Sequence, residues 1–179
     1  MIFRPTAIAG VTEVLPDRVR DDRGAFFRGW CAAAFDAAGV VFRPIQVSYS
    51  ENTARHTLRG MHWQDAPAAE AKLVRCVRGA VHDVALDLRA GSATCGQHFG
   101  VTLAAQAGNA LFIPPGCAHG FLTLSDDAVV EYAMDAPYAP ALARGLRWND
   151  RAFGIVWPAP PAVISARDAS WPDYRLAEG

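Results

Sequence analysis

Between residues 58 and 134 the chain breaks into short apolar runs separated by Gly, Pro and Asp, at 72–77, 80–88, 100–103, 110–113, 121–124 and 129–134. Runs this short and this regular predict many brief strands folded into a sandwich or a barrel. Residues 80–88 alternate, with His82, Val84, Leu86 and Leu88 on one side and Val81, Asp83, Ala85 and Asp87 on the other. Such a strand has one oily and one mixed face. A helix is expected over 30–39, WCAAAFDAAG, which is alanine-rich and closed by a glycine at the C-terminal position. After Trp157 the chain is rich in Pro and Ala and is expected to drape over the body. There is no internal repeat, linker or low-complexity segment. With 51% of its 179 residues apolar, the chain is expected to bury a core without disulfides as one domain over 1–179.

The 17 Lys and Arg nearly balance the 18 Asp and Glu, which argues against partners such as nucleic acid or an anionic membrane surface. Basic residues that matter should therefore act locally. Cys31, Cys76, Cys95 and Cys117 are widely spaced with no C-x-x-C pair, so neither a zinc site nor a disulfide scaffold is indicated. A reduced, cytoplasmic setting fits best. Near the start, Pro5, Gly10 and Glu13 break up the apolar residues, unlike the core of a signal peptide. No apolar stretch approaches the roughly 18 residues needed to span a bilayer.

Two glycine-hinged segments each carry one histidine, RGMHWQ at 59–64 with His62 and PPGCAHGF at 114–121 with His119. Histidine is readily set up as a proton carrier near neutral pH, and His62 is read as the group that removes a proton from carbon. Residues 108–119 have the form G-x5-P-x-G-x2-H, which resembles the second motif of the cupin superfamily. Residues 110–113 would be a strand, 114–116 a tight turn, and His119 would aim into a barrel mouth. The first cupin motif supplies H-x-H and a glutamate, whereas His62 is followed by Trp63 and Gln64. Two isolated imidazoles fall short of the ligands a catalytic metal takes, so no metal is expected. A metal-dependent cupin using His62 and His119 is the competing enzyme reading. His56, His82 and His98 are read as structural.

The ordered set Asp22-Arg23-Gly24, Arg59 to Gln64, Lys72-Leu73-Val74-Arg75-Cys76, Asp83, residues 114–121, Tyr132, Tyr138 with Pro140, Trp148-Asn149-Asp150, Ile155 with Trp157-Pro158, and Ser165-Ala166-Arg167-Asp168 resembles the dTDP-4-dehydrorhamnose 3,5-epimerase family. The likeness runs over almost the whole chain. It implies an all-β dominated fold, a cupin-type jelly-roll β-barrel with a few short helices. It also implies an N-terminal dimerisation strand, a homodimer, no metal or other cofactor, and a nucleotide-diphosphate 4-keto-6-deoxy sugar as substrate. Deoxysugar and polysaccharide biosynthesis would be the context, and a nucleotide-sugar binder that lacks turnover is a third reading.

Epimerising a carbon beside a ketone needs a base, a cation or donor for the enolate oxygen, and an acid on the opposite face. His62, Lys72 and Tyr132 are the right types. The resemblance casts His62 as base, Asp168 as its carboxylate partner, Lys72 as the cation beside the C4 oxygen, and Tyr132 as proton donor. It assigns substrate contacts to Arg23, Phe26, Gln46, Arg59, His119 and Tyr138, with the arginines suited to forked bonds with a pyrophosphate.

Several points stay open at this level. In a regular strand Arg59 and His62 face opposite ways, so either Gly60 hosts a bulge or Arg59 lies at the rim. Asp83 reads equally as a cavity carboxylate that positions Lys72 or as a buried structural acid. The chain also departs from the family pattern. Arg28 stands where a glutamate is usual, Ala143 replaces an acid, and Gln46-Val47-Ser48 replaces Q-x-N. These departures leave open which nucleoside and sugar bind, and whether C3 alone or both C3 and C5 are inverted.

Overall fold

The computed structural model describes residues 1–174. Four short strands come first, β1 (Ile2–Pro5), β2 (Thr12–Leu15), β3 (Val19–Asp21) and β4 (Gly24–Phe26), followed by the helix α1 (Ala32–Ala37). The body is built from β5 (Gln46–Asn52), β6 (Thr57–Gln64), β7 (Lys72–Arg78), β8 (Ala80–Asp87), β9 (His98–Ala104), β10 (Ala110–Ile113), β11 (Cys117–Thr123) and β12 (Ala128–Met134). The tail adds β13 (Ala143–Gly145), β14 (Val163–Ile164) and α2 (Ala166–Ala169).

These strands form two sheets, one in the order β1-β2-β10-β7-β12-β5 and one in the order β13-β6-β11-β8-β9. β14 adds in parallel to β6, while β3 and β4 make a separate hairpin. Consecutive body strands repeatedly cross between sheets, the pattern of a cupin jelly roll.

Alternation along each strand decides what lies inside. Val74 and Cys76 of β7, Leu111 and Ile113 of β10 and Val130 of β12 meet Val81 and Ala85 of β8 and Phe121 of β11 in one interior cluster. Residues of opposite parity face outward. Leu73, Phe112 and Ala133 on the outside of the first sheet are covered by Phe35 of α1 and by Phe42, with the Phe42 and Phe112 rings 5.5 Å apart. α1 is shorter than the sequence suggests. Its Cys31 N-cap makes no side-chain hydrogen bond, and Gly39 turns the chain at φ +74. So short a helix has little stability of its own and is held by burial of Phe35, whose loss would cost about 3–5 kcal/mol.

The two faces of β8 are used in a way their composition conceals. Its oily face points outward, where Val84 and Leu86 pack with Met61, Leu146 and Phe153, and with Trp157 of the draped tail. Its mixed face points inward, with Asp83 and Asp87 fully buried. Burial alone would raise the Asp87 carboxyl, but hydrogen bonds from Arg89, Ser92 and Thr94 outweigh it and hold the group well below the usual carboxylate range. Asp87 thereby ties down the loop after β8. No helix among the described residues is long and apolar enough to cross a membrane.

Candidate active site

A cavity of about 390 Å³ is lined by both sheets, which is in the range of small-ligand pockets. The first sheet contributes Gln46, Ser48 and Ser50 from β5, Lys72 from β7, and Tyr132 and Met134 from β12. The second contributes Arg59, His62 and Gln64 from β6 and His119 from β11. Tyr138 and Arg144, then Arg167 and Asp168 from the tail, complete the wall.

Gly60 settles how Arg59 and His62 share this cavity. Opposite β11, His119 pairs with His62 and Phe121 with Arg59, so β6 holds an extra residue against its partner. This bulge breaks the alternation, leaving Met61 in the outer cluster while Arg59, two positions before it, and His62, directly after it, both line the cavity. Only glycine fits the kink. Gly60 has φ +118, and a Cβ there would lie 2.6 Å from Gly120 Cα and 2.7 Å from the His119 carbonyl oxygen.

His62 Nε2 lies 2.7 Å from Asp168 Oδ1. An ionised carboxylate only accepts, so Nε2 carries the proton and the lone pair sits on Nδ1. Asp168 is itself over-determined. Ser165 Oγ accepts from its backbone N–H at 3.0 Å and caps α2, while the Gly60 N–H and the Trp171 indole donate to its carboxylate at 3.2 and 3.3 Å. Burial would raise the Asp168 carboxyl, but the His62 contact, with the Gly60 and Trp171 donors, prevails and keeps it below the usual carboxylate range. Asp168 therefore stays ionised behind the imidazole.

Tyr132 stands on the other sheet. Its ring lies edge-on to His119, centroids 5.7 Å apart. Burial, and then the Asp83 charge, push the phenol above its usual range, with Arg59 opposing. The hydroxyl thus keeps its proton at neutral pH. His119 Nε2 in turn meets Asp83 Oδ1 at 2.7 Å, with both side chains buried. Asp83 therefore anchors His119 rather than Lys72. Lys72 is buried as well, and its Nζ meets Glu70 Oε1 at 2.8 Å and the His62 carbonyl oxygen at 3.3 Å. Arg59 donates to Asn52 Oδ1 at 2.7 Å.

Most of the residues singled out from the sequence therefore meet in one place: His62, Asp168, Lys72, Tyr132, Gln46, Arg59, His119 and Tyr138 all line the cavity. Arg23 and Phe26 do not. Both sit on the β3–β4 hairpin, where Arg23 is 90% exposed beside Asp21 and Phe26 is 75% exposed. Glu70, Arg144 and Arg167 line the cavity without having been singled out for it. Arg167 was signalled by its place beside Asp168 in the tail motif, whereas Glu70 precedes its strand and no pattern marks it. Among the described residues no three His, Cys, Asp or Glu side chains converge as metal ligands, and His62 and His119 each turn Nε2 toward a separate carboxylate.

The family model for dTDP-4-dehydrorhamnose 3,5-epimerase matches residues 5–175. The chain belongs to that family. A dTDP-4-dehydrorhamnose 3,5-epimerase of Mycolicibacterium smegmatis is 42% identical over 99% of this chain and 88% of its own length. The crystal structure of the Bacillus anthracis epimerase with TDP and PPi bound superposes with a TM-score of 0.92 at 33% identity, covering 96% of this chain and 98% of that one. A 3'-monoepimerase of Streptomyces bikiniensis, solved with dTDP-quinovose, gives 0.87 at 34% identity, covering 94% and 86%. As a dTDP-4-dehydrorhamnose 3,5-epimerase family member, the chain is a carbohydrate epimerase, an isomerase of deoxysugar biosynthesis.

Proposed function

We propose that the chain inverts C3 and C5 of a thymidine diphosphate-linked 4-keto-6-deoxy sugar, with His62 as base and Tyr132 as acid. The observation that carries this reading is the placement of the carboxylate-backed imidazole on one sheet and the protonated phenol on the facing one. Inversion needs a proton removed from one face of the ring and returned to the other. His62 Nδ1 takes the proton from the carbon beside the ketone, and the C–H electron pair becomes the enolate double bond. Charge then gathers on the C4 oxygen, where Lys72 offers an N–H. Tyr132 gives its proton to the opposite face of the same carbon, the ketone re-forms, and exchange with solvent resets both groups.

Arg59, with Arg167 at the same cavity, suits the diphosphate, and the exposed Tyr138 ring suits the base. The thymidine preference rests on the ligands named with the related structures. Arg23 and Phe26 serve a second copy: in a homodimer the β3–β4 hairpin of one protomer reaches the cavity of its partner.

Exchange in heavy water tests the reading. Wild type should place deuterium at C3 and C5 of the thymidine-linked keto sugar in preference to guanosine- or cytidine-linked ones, and chelators should leave the rate unchanged. His62→Ala should stop exchange, while Tyr132→Phe should retain some exchange but impair inversion. Deuterium at C3 alone would make the chain a 3-epimerase. Full exchange by His62→Ala would remove the assigned base.

A further inference from the structure

Gln64 is the last residue of β6 and is buried in the cavity wall, yet its side-chain amide is engaged with backbone. Nε2 donates to the Pro137 carbonyl at 3.2 Å and to the Ala68 carbonyl at 2.9 Å, and Oε1 accepts from the Ala139 N–H at 2.6 Å. Both amide N–H groups are thereby occupied. Residues 137 and 139 are the two neighbours of Tyr138, so one side chain holds the backbone on either side of that ring. Tyr138 lines the cavity but is 61% exposed. Burial therefore does little to fix the ring, and its direction is set by the backbone that Gln64 holds. Just downstream the chain turns, with the Leu142 and Ala143 N–H groups donating to the Ala139 carbonyl at 2.9 and 3.0 Å, and Ala143 then pairs with Gln64 across β13 and β6. Tyr138 thus sits in a loop whose two contacts with β6 both converge on Gln64.

We propose that Gln64 is a positioning residue for nucleotide recognition, fixing the Tyr138 ring where it stacks on the nucleoside base. This rests on the reading above that Tyr138 meets the base. Gln64 touches no reacting atom and adds no charge; it acts through the tyrosine. The amide is needed because the loop presents a carbonyl and an N–H together, and only a group that donates and accepts satisfies both. An aliphatic side chain leaves both without a partner. A glutamate keeps the acceptor for Ala139, but when ionised it sets a negative charge against the Pro137 and Ala68 carbonyls.

Calorimetry with thymidine diphosphate and with inorganic pyrophosphate tests this on wild type, Gln64→Met, Tyr138→Ala and the double variant. Tyr138→Ala should weaken thymidine diphosphate about tenfold, as loss of an aromatic ring stacked on a base does. Gln64→Met should weaken it about fivefold alone but less than about twofold in the Tyr138→Ala background, because residues that act through one contact are not additive. Pyrophosphate, which has no base, should bind all of these proteins alike. Gln64→Glu should repeat the Gln64→Met pattern, and it decides should Gln64→Met fail to fold. The same loss from Gln64→Met with and without the Tyr138 ring, or an equal loss for pyrophosphate, overturns the proposal, since either means general damage to the cavity. A loss in Tyr138→Ala with none in the Gln64 variants overturns the proposal alone. Unchanged binding of thymidine diphosphate by Tyr138→Ala overturns it together with the reading of Tyr138 as the base contact.

Discussion

Asp168 carries two loads, the tautomer of His62 and the anchoring of the tail to β6, and they separate by pH. Asp168→Asn keeps the shape but removes the charge that supports a protonated His62. Solvent exchange and inversion should fall on the order of a hundredfold or more, as when general acid–base catalysis is lost. For stability the sign follows from a carboxyl held below its ordinary value of 3.8. Its contribution is fully present above that value and is lost as pH falls through the lower folded one. The melting temperature of wild type should exceed that of Asp168→Asn at pH 7, with the gap closing below about pH 4. A gap independent of pH would mean that the carboxylate charge does not stabilise the fold. The dyad was legible because His62 and Asp168 sit in short, ordered motifs, although nothing between them in sequence shows that 106 residues close into a 2.7 Å contact. Glu70 was not legible, because an acid two positions before a strand looks like any solvated charge until the fold buries it.

Strand β6 shows where element-level reading succeeds and where it stops. The runs at 72–77, 80–88, 110–113 and 129–134 were readable because core-facing residues alternate there with residues covered by α1 or the tail. β5 was not, because its polarity is inverted. Gln46, Ser48 and Ser50 face the cavity, while Val47 and Tyr49 lie 54% and 62% exposed. A strand that lines a polar cavity loses the oily inner face by which periodicity finds strands. In β6 the parity of Arg59 and His62 conflicts with a shared site, and the bulge at Gly60 resolves it. Gly60→Ala should therefore be costly beyond its size, since it combines a positive φ with backbone overlap at Gly120. Chemical denaturation should register a loss of roughly 2–4 kcal/mol, with exchange activity falling as Arg59 and His62 lose their common orientation. An unchanged midpoint would show that the neighbouring strand yields without cost.

At the scale of the whole molecule the inverted polarity of β5 has a counterpart in the hairpin. Val19 and Phe26 are 68% and 75% exposed, and Ile45, just before the edge strand β5, is 64% exposed. Large apolar side chains exposed beside a sheet edge and on a separate hairpin are costly in water and favour pairing with a second copy. A C2 dimer would cover such surfaces twice over, because each protomer presents the same ones. It would also bring Arg23 and Phe26 to a neighbour's cavity, where a single chain cannot place them. Sedimentation should accordingly give about twice 19.2 kDa, with a melting temperature that rises with protein concentration. Val19→Asp combined with Val47→Asp should shift the chain toward the monomer. Neither residue lines the cavity, so binding of the isolated sugar portion should survive while affinity for the full nucleotide sugar falls with dimer content. A wild type that sediments as a monomer at tens of micromolar with full exchange activity would sever the hairpin from the site.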